Sequence, residues 1–141
     1  MKKSILATLV ASVLGVSAFA VENDKNLFVV VTTEDSVTQM MSMVISTQAL
    51  QKGANVEILM CGKGGDLVIK GSKEVLLKPK DQSPQMMLKN LISKGVNVEV
   101  CPPYMPNANK SATDLIDGVK VANPSLVTDK ILDKNRQILS Y

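Results

Sequence analysis

The chain has 141 residues, with 16 basic and 13 acidic side chains, two cysteines, no histidine and no tryptophan. Without histidine there is no Ser-His or Cys-His catalytic pair and no imidazole for zinc, and a single arginine (Arg136) with no sustained basic patch argues against nucleic acid as a partner. With two Phe and two Tyr, aliphatic side chains and methionine must fill the core of what length bounds to one domain.

Met1-Lys2-Lys3 is a short positive n-region, Ile5 to Val16 an apolar stretch, and Ala18-Phe19-Ala20 a small-x-small cleavage site. This reads as a secretory signal peptide, too short in its apolar part for the roughly 20 residues of a membrane span. Cleavage after Ala20 leaves residues 21–141 and removes two lysines and no acid, so most of the formal charge of +3 belongs to the leader. No later segment is apolar enough to span a bilayer. The expected product is exported to the periplasm and free of the membrane.

Leu27 to Val31 is a continuous apolar run of strand length, as in a strand buried on both faces. Thr32 to Ser36 supplies turn and capping residues. Val37, Met40, Met41, Val44, Ile45 and Leu50 then recur at helical spacing up to Gly53. Val56 to Met60 is a second strand, completing a right-handed β-α-β unit. Cys61-Gly62-Lys63-Gly64-Gly65 follows it directly, Asp66 to Ile69 forms a short helix or strand, and Gly71 to Gln82 is a polar connection.

Ser83-Pro84 opens a second helix, with Met86, Met87, Leu88, Leu91 and Ile92 as its apolar side and Gly95 as its stop. Val96 to Val100 is the third strand. It delivers Cys101 to its carboxyl end, where Pro102 has no N–H for a ladder. Beyond the Pro102 to Lys110 loop come a short helix (Ser111 to Ile116), a strand (Val119 to Val121), a helix (Pro124 to Asp133) and a last strand (Gln137 to Tyr141). The alternation predicts an α/β fold: a doubly wound, mostly parallel sheet of about five strands with helices on both faces, in a flavodoxin-like order.

The stretch Leu91 to Cys101, the helix ending Leu50-Gln51-Lys52-Gly53 before Val56 to Met60, and the closing Gly118-Val119 and Ile138 to Tyr141 together resemble the DsrE/DsrF-like family of sulfur-handling proteins, which includes the TusD and YchN types. The resemblance implies a DsrE-like fold over nearly the whole mature chain. It also implies sulfur carriage as a persulfide on Cys101, a protein sulfur donor or acceptor, and a homo-oligomer, trimer or hexamer. By this reading the protein is a carrier rather than a turnover enzyme, and needs no cofactor or metal.

A carrier thiol must be a thiolate, and free cysteine at pKa ~8.5 needs nearby positive charge to become one at neutral pH. Lys63 and Lys110 are the candidate sources. Gly62 and Tyr104 complete the expected ligand-binding residues around Cys101, with Cys61 as a possible second thiol. In a 2-1-3-4-5 order the first strand separates the two cysteines. At ~4.8 Å per strand they would stand roughly 10 Å apart, beyond the ~7 Å Cα limit of a disulfide. The expectation is therefore two separate thiols, unless loop bending joins them in a redox switch. A different class of function remains open, a binding module for a small ligand or for Cu(I) held by thiols and the many methionines (Met40, Met41, Met43, Met60, Met86, Met87, Met105).

Overall fold

The structure, a computed structural model, describes residues 25–141. The expected leader and its cleavage site lie outside the described residues. The strands are β1 (Asn26–Val31), β2 (Asn55–Met60), β3 (Asn97–Val100), β4 (Val119–Val121) and β5 (Arg136–Ser140). The helices are α1 (Ser36–Gln51), α2 (Pro84–Ser93), α3 (Tyr104–Asn107) and α4 (Pro124–Leu132). Residues Gly62–Val68 and Ala112–Asp114 form 3₁₀ turns.

Every strand pairing is parallel, and the order is β4-β3-β2-β1-β5. The α/β class, the parallel five-stranded sheet and the helices on both faces are as expected. The strand order is not: β2 lies between β1 and β3. Right-handed crossovers account for the layering. The chain steps in one direction from β1 to β4, so α1, α2 and the β3–β4 connection all fall on one face. It then reverses across the whole sheet to β5, which puts α4 on the other.

The first face is the dry core. Leu27, Val29 and Val31 alternate with Val56, Ile58 and Met60 and with Val98 and Val100, all sealed by Met43, Leu88 and Leu91. Here α1 departs from its expected apolar side. Val37 and Met41 are 65% and 50% exposed, while Gln39, Ser42, Met43 and Ser46 are buried. The spacing is helical, but the most buried stripe is rotated from the expected one and joins Gln39 and Met43 to the small Ser42 and Ser46, while Ile45 and Leu50 of the expected side pack at its margin. Its hydroxyls are satisfied within the helix, Ser42 Oγ donating to the Gln39 carbonyl and Ser46 Oγ to that of Ser42, each at 2.7 Å. On α2, Met86 is likewise exposed, and buried Gln85 donates to the Leu67 carbonyl at 2.7 Å. That bond ties the Gly62–Val68 turn to the core.

The second face holds a smaller cluster of Phe28, Leu59 and Ala122 with Val127 of α4, beside a set of charges. Lys130 of α4 donates to Glu57 at 2.6 Å and Glu99 at 2.7 Å, and Arg136 donates to Glu57 at 2.7 Å. Burial opposes the charge on Glu57, but hydrogen bonds from Lys130, Asn97 and Arg136 outweigh it and hold the carboxyl below its ordinary value. Burial likewise opposes the charge on Lys130, and the two glutamates override it and raise its pKa.

Glu57 thus contributes stability above the ordinary carboxylate range that is lost as pH falls through its depressed pKa. Lys130 contributes stability below pH ~10 that is lost only as pH rises through its raised one. Lys130→Met leaves Glu99 without its partner, while Glu57 keeps Arg136 and Asn97. It should cost roughly 2–3 kcal/mol at pH 7, less than the ~3–5 of a fully enclosed pair. The deficit relative to the parent should shrink as pH falls through the depressed pKa of Glu57, as read from denaturant midpoints across pH.

Candidate functional site

In the β2–β3 ladder Glu57 faces Asn97, Leu59 faces Glu99, and Met60 faces Val100. One residue further along, Cys61 faces Cys101. Both positions are still rungs of the sheet, since the Cys61 N–H donates to the Val31 carbonyl at 2.9 Å and the Cys101 N–H to that of Met60 at 2.8 Å. Both side chains also share one parity, on the α4 face, where they pack against the Phe28 cluster. Neighbouring parallel strands lie ~4.8 Å apart. The Cα–Cα distance is 5.1 Å, and Cys61 and Cys101 form a disulfide.

This overturns the expectation of two separate thiols, for one physical reason. With β1 on the far side of β2, no strand intervenes between the cysteines. In the chain-entropy picture a bridge across 40 residues contributes about 4 kcal/mol to the oxidised state.

The disulfide borders a cavity of about 570 Å³ whose walls include Gly62, Lys63, Asp66, Pro103, Tyr104, Asn107 and Ala108. Of the expected site residues, Cys61, Cys101, Gly62, Lys63 and Tyr104 therefore meet here. Lys110 does not; it lines a neighbouring groove, which shares Lys63, Asp66 and Tyr104 with the cavity. The methionines do not converge on the cysteines. Met43 and Met60 are fully buried in the first-face core, and Met60 points to the opposite face of the sheet from Cys61. In the disulfide, neither cysteine offers the thiolate that the Cu(I) reading calls for.

Asp66 is the site residue that the sequence hid. Tyr104 Oη donates to Asp66 Oδ1 at 2.7 Å, and a Cβ on Gly65 would come within 2.5 Å of the Tyr104 ring. The tyrosine lies flat on that glycine, clamping the turn after Cys61 to the turn after Cys101. Burial, then the bond to Asp66, raises the phenol pKa, so Tyr104 stays a protonated donor. The Gly64-Gly65 pair was a signal in plain sight, because adjacent glycines after a strand mark a close approach. Its target, 38 residues away in Tyr104, was invisible. A Cβ on Gly64 would meet the Val31 carbonyl, so the turn is pressed onto the end of β1 as well.

Solved structures share this fold. The YchN protein of E. coli superposes with a TM-score of 0.68 at 17% identity, covering 83% of this chain and 99% of that one. MTH1491 of Methanobacterium thermoautotrophicum, a protein of unknown function, gives 0.64 at 11%, with the same coverage. No family model matches the sequence, and no curated protein matches it. The chain therefore has a YchN-like fold.

Tyr104→Phe keeps the ring and removes the bond to Asp66, which should cost about 1.5–3 kcal/mol as a bond to a charged group. Gly65→Ala should cost about 1–3 kcal/mol through overpacking against the ring. Urea midpoints measured with and without a dithiol reductant should show both losses in either redox state, because the clamp acts independently of the disulfide.

Proposed function

We propose that this protein is an exported sulfur carrier of the DsrE type, in which Cys101 accepts sulfane sulfur and Cys61 resolves it. The observation that carries the reading is the in-register placement of the two cysteines on adjacent strands, 5.1 Å apart at Cα, at the edge of a cavity. In the reduced protein the Cys101 thiolate attacks the terminal sulfur of a persulfide donor, and the donor leaves as its thiolate. The Cys101 persulfide then has two exits. An acceptor thiolate takes the terminal sulfur and restores Cys101. Alternatively, Cys61 attacks Cys101 Sγ, the terminal sulfur departs as hydrosulfide, and the disulfide forms.

An external dithiol resets the pair. Lys63 at the cavity edge supplies the positive charge that favours a thiolate. The donor and acceptor are proteins of the periplasm, where a disulfide persists. A homo-oligomer, trimer or hexamer, is part of the proposal, supported by the family resemblance and by the exposed apolar residues Val37, Met41 and Met86 of α1 and α2.

The proximity of the cysteines also favours a second reading, a thiol–disulfide switch that handles no sulfane sulfur. Intact mass after treating the reduced protein with polysulfide separates the two. The carrier reading expects Cys61→Ser to gain about 32 Da, reversed by reductant, Cys101→Ser to gain nothing, and the parent to end about 2 Da lighter than its reduced form. Gain in Cys101→Ser alone would exchange the two roles. A lighter parent with no gain in either variant would leave only the switch.

A further inference from the structure

Behind the Tyr104–Asp66 clamp lies a second groove of about 490 Å³, and its walls carry Lys63, Lys70, Lys73 and Lys110 against Glu34 and Asp66. Four of the chain's cations thus line one concavity. Among the described residues Lys63, Lys73 and Lys110 make no ion pair, and Lys70 alone is engaged, with Asp117 at 3.4 Å. Asp66 accepts from Tyr104, and Asp114 accepts from Ser111. Neither bond cancels a charge, so the groove's walls set four lysines against the two carboxylates Glu34 and Asp66.

The groove and the disulfide cavity share Lys63, Asp66 and Tyr104 as a common wall. Each is many times the ~30 Å³ that a water-sized species such as hydrosulfide fills. A sulfur site that served only bare sulfur would need neither volume. We infer that the lysine groove seats the anionic part of a small thiol, whose sulfur reaches the Cys61–Cys101 bond past Lys63; this rests on the reading that the cysteine pair is the reacting centre. The ligand class is a low-molecular-weight thiol bearing carboxylate or sulfonate groups.

The exchange balances without any further reactant. The bound thiolate attacks one Sγ, and the protein S–S bond breaks with its electron pair on the other Sγ, leaving a mixed disulfide. A second thiolate then displaces the protein sulfur. The small thiol is oxidised to its disulfide, and the cysteine pair is reduced.

The test compares two forms of one thiol skeleton, glutathione and its diethyl ester, as reductants of the folded oxidised protein. Rates are followed by quenched intact mass and expressed per thiolate. The free tripeptide carries two carboxylates, and the ester carries none. Facing a lysine-lined groove the free form should react about tenfold faster at low ionic strength. The ratio should fall towards one in Lys73→Gln/Lys110→Gln, whose altered groups lie outside the disulfide cavity. A urea midpoint of the double variant equal to the parent's separates lost charge from a loosened fold, which would also lower the ratio. Equal rates for the two forms, or a ratio untouched by the double variant, would overturn the groove. A persistent ratio in a protein that never takes up sulfane sulfur would support the groove and sink the carrier reading.

Discussion

The site depends on β2 and β3 lying side by side in register, because in a parallel pair the spacing between strands is constant along its length. Glu57, Leu59 and Cys61 climb one strand on the α4 face, while Asn97, Glu99 and Cys101 climb the next. A disulfide needs Cα atoms within ~7 Å with side chains on the same side. Adjacent strands meet the distance at every rung, and matching parity meets the direction. No loop has to bend, and the backbone of both cysteines remains hydrogen-bonded into the sheet.

The two faces of that sheet do different work. The first is an aliphatic core, against which α1 also buries serines that satisfy their own hydroxyls. The second is covered by α4 alone, none of whose residues is fully buried. That thin cover tolerates charge in strand positions, provided the charges meet, and Lys130 and Arg136 reach Glu57 and Glu99 in a half-screened layer. The cysteines stand at the open end of the same face. They are partly covered by the Phe28 cluster and remain open to the cavity between the two glycine- and proline-marked turns.

Those turns hold still through contacts of long sequence reach. Gln85 ties the Gly62–Val68 turn to α2, Gly64 presses it against the end of β1, and Tyr104 lies on Gly65 with its hydroxyl on Asp66. Each pairing joins a local motif that can be read in sequence to a partner that cannot. The proline pair after Cys101 does end the strand, and it sets the short α3 that carries Tyr104 inward, where a loop was expected. The segment expected to be helical over Ser111 to Ile116 contracts to a 3₁₀ turn capped by Asp114 on Ser111.

The sequence by itself determined the five strands and the three longer helices, because periodicity, caps and stop signals are local. It also placed both cysteines at strand carboxyl ends, since each follows an apolar run directly. Which strands become neighbours is not a local property. It follows from how right-handed crossovers and helix packing distribute five strands across one sheet, and that arrangement placed β2 beside β3. Tertiary structure alone therefore decided that Cys61 and Cys101 meet, that Lys110 looks into a second groove, and that Ser42, Met43 and Ser46 of α1 face the core where Val37 and Met41 do not. In each case the deciding partner lies on another element of the chain, where spacing along the sequence carries no information about distance in space.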